Sequence, residues 1–90
     1  MKKHYNITVR GKVQGVGFRF SCMEVAYKFN VKGFVRNRSD RSVYIEAEGE
    51  EPELNAFREW CARGPVWARV NEVSEEEGEI QNFSSFEIAR

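Results

Sequence analysis

Ninety residues, 41% hydrophobic and 31% charged, suffice for a single globular domain with one modest core and leave no room for a second. No apolar run approaches the ~20 residues that span a bilayer, and Met1-Lys2-Lys3-His4-Tyr5 leads straight into strand alternation with no apolar leader; a cytoplasmic chain with no membrane partner is expected. The formal net charge of zero hides an asymmetry, ten Lys and Arg against two Asp and Glu in residues 1–41 and four against twelve in residues 42–90, which favours an anionic ligand in the first half.

Tyr5, Ile7 and Val9 alternate with Asn6, Thr8 and Arg10, the period of a half-buried strand over roughly residues 4 to 12. The strand ends in Gly11-Lys12-Val13-Gln14-Gly15-Val16-Gly17-Phe18-Arg19. Glycines at 15 and 17 let a loop bend until several backbone N–H groups point at one spot, and a following helix N-terminus adds partial positive charge. Arg19 then contributes a planar fork of donors suited to phosphate oxygens. Ser21-Cys22-Met23-Glu24 has capping-box spacing and would start the helix near residue 22. The stripe Phe18, Cys22, Ala26, Phe29 argues for a start at Phe18, and Asn30 suits a left-handed terminator.

A second strand is expected at about Val31 to Asn37, then a polar turn, Arg38-Ser39-Asp40-Arg41-Ser42, then a third strand in which Val43, Ile45 and Ala47 point inward and Tyr44, Glu46 and Glu48 outward. Gly49 breaks that strand. Pro52 fits a first helical position, Glu50, Glu51 and Glu53 suit the positive end of a helix dipole, and Gly64-Pro65 stops the helix near Arg63. Val66, Ala68, Val70 and Val73 keep no common parity, so a bulge or a strand start near Ala68 is expected. Glu75-Glu76-Glu77-Gly78-Glu79 reads as a solvated turn, and Phe86 to Ala89 as a closing strand. Cys22 and Cys61 both continue apolar helical stripes and read as reduced, buried small hydrophobes.

The order strand, helix, strand, strand, helix, strand is that of the split βαβ pattern. It predicts an α/β (α+β) sandwich, ferredoxin-like βαββαβ, with a four-stranded antiparallel sheet, a short fifth strand and two helices packed on one face, all in one domain over residues 1–90.

Several chemistries find no residues to carry them. The dinucleotide pattern fails because Phe20 stands where its third glycine belongs, and no Gly-Lys-Ser/Thr follows the loop. His4 is the only histidine and lies near a terminus, which argues against Ser-His-Asp or Cys-His catalysis; no ligand spacing for a metal appears. What remains is the loop, Arg19 and the polar end of Gly33-Phe34-Val35-Arg36-Asn37.

The two segments at 11–19 and 33–37 together resemble the paired signatures of the acylphosphatase family. The similarity extends to Ala47-Glu48-Gly49, Phe57-x-x-Trp60, Gly64-Pro65, Ala68-Arg69-Val70 and Phe83-Ser84-x-Phe86-Glu87-Ile88. Arg41 departs from the glycine common at that turn. The resemblance implies hydrolysis of carboxyl-phosphate anhydrides without a metal, cofactor or covalent intermediate. It gives Arg19 and Asn37 catalytic roles, Arg19 binding the phosphoryl group and Asn37 orienting the attacking water. Gln14, Gly15, Val16, Gly17, Phe18 and Arg19 would form the phosphate-binding loop. The implied ligands are a small acyl phosphate and inorganic phosphate or a similar anion; no nucleic acid partner is expected, and a monomer is. The competing class is a non-catalytic anion- or RNA-binding module, with Phe34 and Tyr44 as stacking platforms on the open sheet face.

Overall fold

The computed structural model describes residues 1–90, which form β1 (Lys2–Lys12), α1 (Phe18–Lys28), β2 (Lys32–Asn37), β3 (Val43–Glu50), α2 (Glu51–Arg63), β4 (Arg69–Gly78) and β5 (Phe86–Ile88). The strands make one sheet in the order β4-β1-β3-β2-β5. The first four are antiparallel to their neighbours, as expected; β5 joins β2 in parallel, pairing Val35 with Ile88, so the completed sheet is mixed. Both helices cover one face, α1 over β2 and β5, α2 over β1, β3 and β4. The architecture is the ferredoxin-like α/β sandwich.

Alternation in the strands decides which side chains meet the helices. Ile7 and Val9 of β1, Val35 of β2, Val43, Ile45 and Ala47 of β3 and Phe86 of β5 are buried against Phe18, Cys22 and Ala26 of α1 and Leu54, Phe57 and Cys61 of α2. The helical residues recur every three or four positions, which keeps them on one side of each helix. Both cysteines are buried and free; burial, then the neighbouring Cys61 thiol, push the Cys22 thiol well above its ordinary value.

The helix ends follow their local chemistry. α1 begins at Phe18 behind a left-handed Gly17 with no side-chain cap, so the capping-box spacing at Ser21 lies inside the helix and caps nothing. Asn30 takes the left-handed conformation at φ 56°. α2 has Pro52 in its first turn with Glu51 and Glu53 beside it, and it closes on Gly64. β4 starts at Arg69, and a register shift against Arg10 and Gly11 passes over Asn71; that bulge brings Val70 and Val73 to the helix-covered side.

Two expectations are overturned. The acidic run is no turn: Glu75, Glu76, Glu77 and Gly78 are the end of β4, paired with Ile7, Asn6, Tyr5 and His4. An edge strand pairs on one side only, and beyond Val73 its side chains Glu75, Glu76 and Glu77 are exposed, so a charged sequence is compatible with it. Glu48 points away from the helices, as alternation requires, yet it is fully buried. β4 and β5 lie at opposite edges of the sheet, so residues 79–85 must cross it, and they do so over the open face above Glu48. The Glu48 carboxylate accepts the backbone N–H groups of Gln81 and Phe83 and lies 2.9 Å from His4 Nδ1. Phe83 stacks on the buried His4 ring.

Candidate active site

The glycine loop, residues 13–17, joins the end of β1 to the start of α1. Gly15 and Gly17 have φ of 74° and 78°, and a Cβ on either would touch nothing within 4 Å. These glycines serve conformation and not space: left-handed positions on either side of Val16 help turn neighbouring N–H groups to one side. From Gly15 to Arg19 no backbone N–H donates to a protein acceptor, and no acidic residue occupies the first turn of α1. Free N–H groups and an uncompensated positive helix end make an anion cradle. Arg19 is exposed on that first turn and forms no ion pair with any carboxylate.

β2 supplies the other wall. Asn37, its last residue, enters the same cavity of about 210 Å³, which Gly15, Gly17, Phe18 and Arg19 also line. The Asn37 Oδ1 is buried and has no hydrogen-bond partner. An unpaired buried amide oxygen costs about 1 to 3 kcal/mol, so the fold keeps beside this cavity an acceptor that no protein donor satisfies.

The turn after Asn37 is tied to the loop. The Gln14 amide donates from Nε2 to the carbonyls of Arg38 at 2.8 Å and Ser42 at 2.9 Å. Asp40 braces the turn from inside, accepting the Ser42 hydroxyl, the Ser42 N–H and Arg10. The Ser42 hydroxyl, with the Ser42 N–H and Arg10 adding to it against some burial, lowers the Asp40 carboxyl to about 2. Arg41 stands at φ 73°, so it adopts the left-handed geometry that a glycine would adopt there without strain.

The structure thus brings Gly15, Gly17, Phe18, Arg19 and Asn37 to one cavity. Gln14 and Val16 stand behind it, the Gln14 side chain on the turn and the half-buried Val16 against the core. Sequence reasoning passed over Phe20 and Ile88, which also line the cavity. Phe20 has a weak sequence-level signal, an apolar side chain directly after Arg19, and Ile88 has none. Arg19 and Asn37 are the only charged or amide side chains in the lining, so no side chain there takes a proton at neutral pH.

A wider depression of about 410 Å³ on the open face is lined by Asn6, Thr8, Arg38, Tyr44 and Ser74 with two acidic residues of β4. Its tyrosine is engaged: the Tyr44 hydroxyl donates to Glu46 and the Arg38 guanidinium lies 4.0 Å over the ring. Burial and the Glu46 carboxylate raise the phenol to about 12. Phe34 meets Phe83 edge-on, so a base stacking on this face would have to displace both contacts. No cluster of three or more His, Cys, Asp or Glu is placed to hold a metal ion, and no helix is long and apolar enough to cross a membrane.

Free N–H groups, an arginine without an ion-pair partner and an unpaired amide oxygen, gathered at one cavity of a ferredoxin-like sandwich, have the donors and the room to take a phosphate-sized anion. Comparison with known proteins narrows the class. The sequence model of the acylphosphatase family matches residues 5–88. An acylphosphatase of Archaeoglobus fulgidus is 46% identical over 83 residues, covering 92% of this chain and 93% of its own. The crystal structure of the Bacillus subtilis acylphosphatase superposes over the whole of both chains with a TM-score of 0.94 at 37% identity. Full-length HypF, in a phosphate- and nucleotide-bound form, contains the same fold in 12% of its chain, with a TM-score of 0.93 at 35% identity. The chain belongs to the acylphosphatase family, and it is therefore a hydrolase of that class.

Proposed function

We propose that this chain hydrolyses acyl phosphates in the cavity between the 13–17 loop and the end of β2, with the N–H groups of Gly15 to Arg19 and the Arg19 guanidinium on the phosphoryl oxygens and Asn37 on the water. The observation that carries the assignment is the buried, unpartnered Asn37 Oδ1 beside that cradle. An amide oxygen accepts one water proton and so directs the water's lone pair toward phosphorus. Attack forms the new P–O bond as the bond from phosphorus to the acyl oxygen breaks, and its electron pair leaves on the carboxylate. The water proton passes to a phosphoryl oxygen, since the lining offers no base. Carboxylate and inorganic phosphate result.

The leaving group is already a weak base, so the protein is asked mainly for position and charge. Negative charge spreads over three equatorial oxygens in the transition state, and fixed N–H donors with a guanidinium meet it without reorganising. Gln14 and Val16 hold the loop in shape from behind. We read the chain as a single cytoplasmic domain over residues 1–90 that acts as a monomer on a small diffusible substrate.

Benzoyl phosphate turnover in the presence of EDTA is the direct test. Rapid release of inorganic phosphate, inhibited competitively by phosphate itself, is expected. No release above the uncatalysed rate, together with tight binding of single-stranded RNA, would replace the enzymatic reading with the binding-module one.

A further inference from the structure

The mouth of the phosphate cavity is apolar on one side. Phe20 is 57% exposed and Ile88 40% exposed, and both line the cavity that Arg19 and Asn37 share. Both stand outside the buried core and outside the set of half-buried side chains packed on it. They come from distant parts of the chain, Phe20 from the first turn of α1 and Ile88 from β5, and parallel pairing to β2 is what carries β5 to the cavity rim.

We propose that Phe20 and Ile88 form a subsite for the acyl half of the substrate and select acyl phosphates whose acyl group is apolar and uncharged. The inference rests on the acyl phosphate reading above and adds the class of acyl group. The phosphoryl end claims the N–H cradle and Arg19, and Arg19 is the only charged residue in the lining. A second anion on the acyl group would therefore lie against two apolar side chains with no cation to meet it, and loses its hydration without return. A propyl chain or a phenyl ring in the same place removes its own surface, and that of Phe20 and Ile88, from water. These contacts are the same before and during phosphoryl transfer, so the subsite acts on KM more than on kcat.

Acetyl and butyryl phosphate release carboxylates of nearly equal basicity, so the ratio of their kcat/KM values reads acyl contact rather than leaving-group chemistry. Butyryl phosphate is expected to exceed acetyl phosphate by about tenfold, through KM. Phe20→Ala and Ile88→Ala, singly and together, should bring that ratio toward one. Benzoyl phosphate should likewise exceed 4-carboxybenzoyl phosphate by about tenfold or more. A ratio near one in the unaltered protein, or one that survives both substitutions, overturns the subsite while leaving acyl phosphate hydrolysis in place. An inhibition constant for inorganic phosphate that rises in the variants as steeply as the ratio falls also overturns it, because the two side chains would then be supporting the loop. Absence of turnover with every acyl phosphate overturns the hydrolase reading itself, and the subsite with it.

Discussion

At the scale of single residues, the proposed mechanism divides the work between Asn37 and Arg19 in a way that kinetics can separate. Asn37→Ala removes the only amide in the cavity lining and leaves every N–H of the cradle in place. Turnover of benzoyl phosphate should fall by at least about 10²-fold, the order expected when a reactant loses its alignment, while inorganic phosphate still inhibits with nearly the same constant. Equal losses in turnover and phosphate affinity would mean that Asn37 binds phosphate and does not place water. Arg19→Lys keeps the charge but gives up the fork. It should lower kcat/KM by about 10²-fold or more, the usual order for one lost donor to transition-state charge. A lysine variant at near-unaltered rate would show that a point charge suffices.

At the scale of elements, the site depends on β2 meeting β3 in register, and Gly33 is where that pairing is tightest. It has φ of 144°, and a Cβ there would come within 1.8 Å of the Glu46 carbonyl oxygen. Gly33→Ala should destabilise the protein by about 3 kcal/mol or more, combining backbone strain with a forced separation of strands. Thermal melting should show it as a drop of at least about 12 °C. Gly33 belongs to the second motif read from the sequence, but its use there is non-local: it admits β3, and Asn37 at the strand's end is aimed as a result. What was legible beforehand was what period and punctuation encode, namely the β1 alternation, the α1 stripe from Phe18, and Pro52 and Gly64 around α2. That Arg19 and Asn37 share a cavity was legible because two short segments, 11–19 and 33–37, carry the polar side chains of its lining. The acidic end of β4 was not, because an exposed edge strand needs no apolar alternation. Phe20 and Ile88 were not, because nothing local reports that β5 returns beside β2.

At the scale of the whole molecule, residues 79–85 cross the open face of the sheet, and Glu48 fastens them. The fully buried carboxylate receives two backbone N–H groups from residues 81 and 83 and one side of the His4 ring; His4 Nε2 lies 2.8 Å from Asn6 Oδ1 and 3.3 Å from Glu46 Oε1. Glu48→Ala leaves those donors under cover with no acceptor, and unfolding free energy should fall by about 3 to 5 kcal/mol, as when one partner of a buried pair is removed. Burial raises the Glu48 carboxyl, but the Gln81 N–H, the His4 ring and the Phe83 N–H outweigh it and hold the group below its ordinary 4.5. A carboxyl depressed by folding stabilises the fold wherever the unfolded chain would also be ionised, above about pH 4.5, and that contribution fades as pH drops from there through the folded value. Urea midpoints should therefore decline between pH 5 and pH 3, and in Glu48→Gln the decline over the same range should be shallower. It should not vanish, because Asp40, lowered from 3.8 to about 2 chiefly by the Ser42 hydroxyl, loses its own contribution across the lower part of that range. Equal slopes in the two proteins would show that Glu48 does not set acid stability, and that the segment over the sheet is held instead by Phe83 packed between His4 and Phe34.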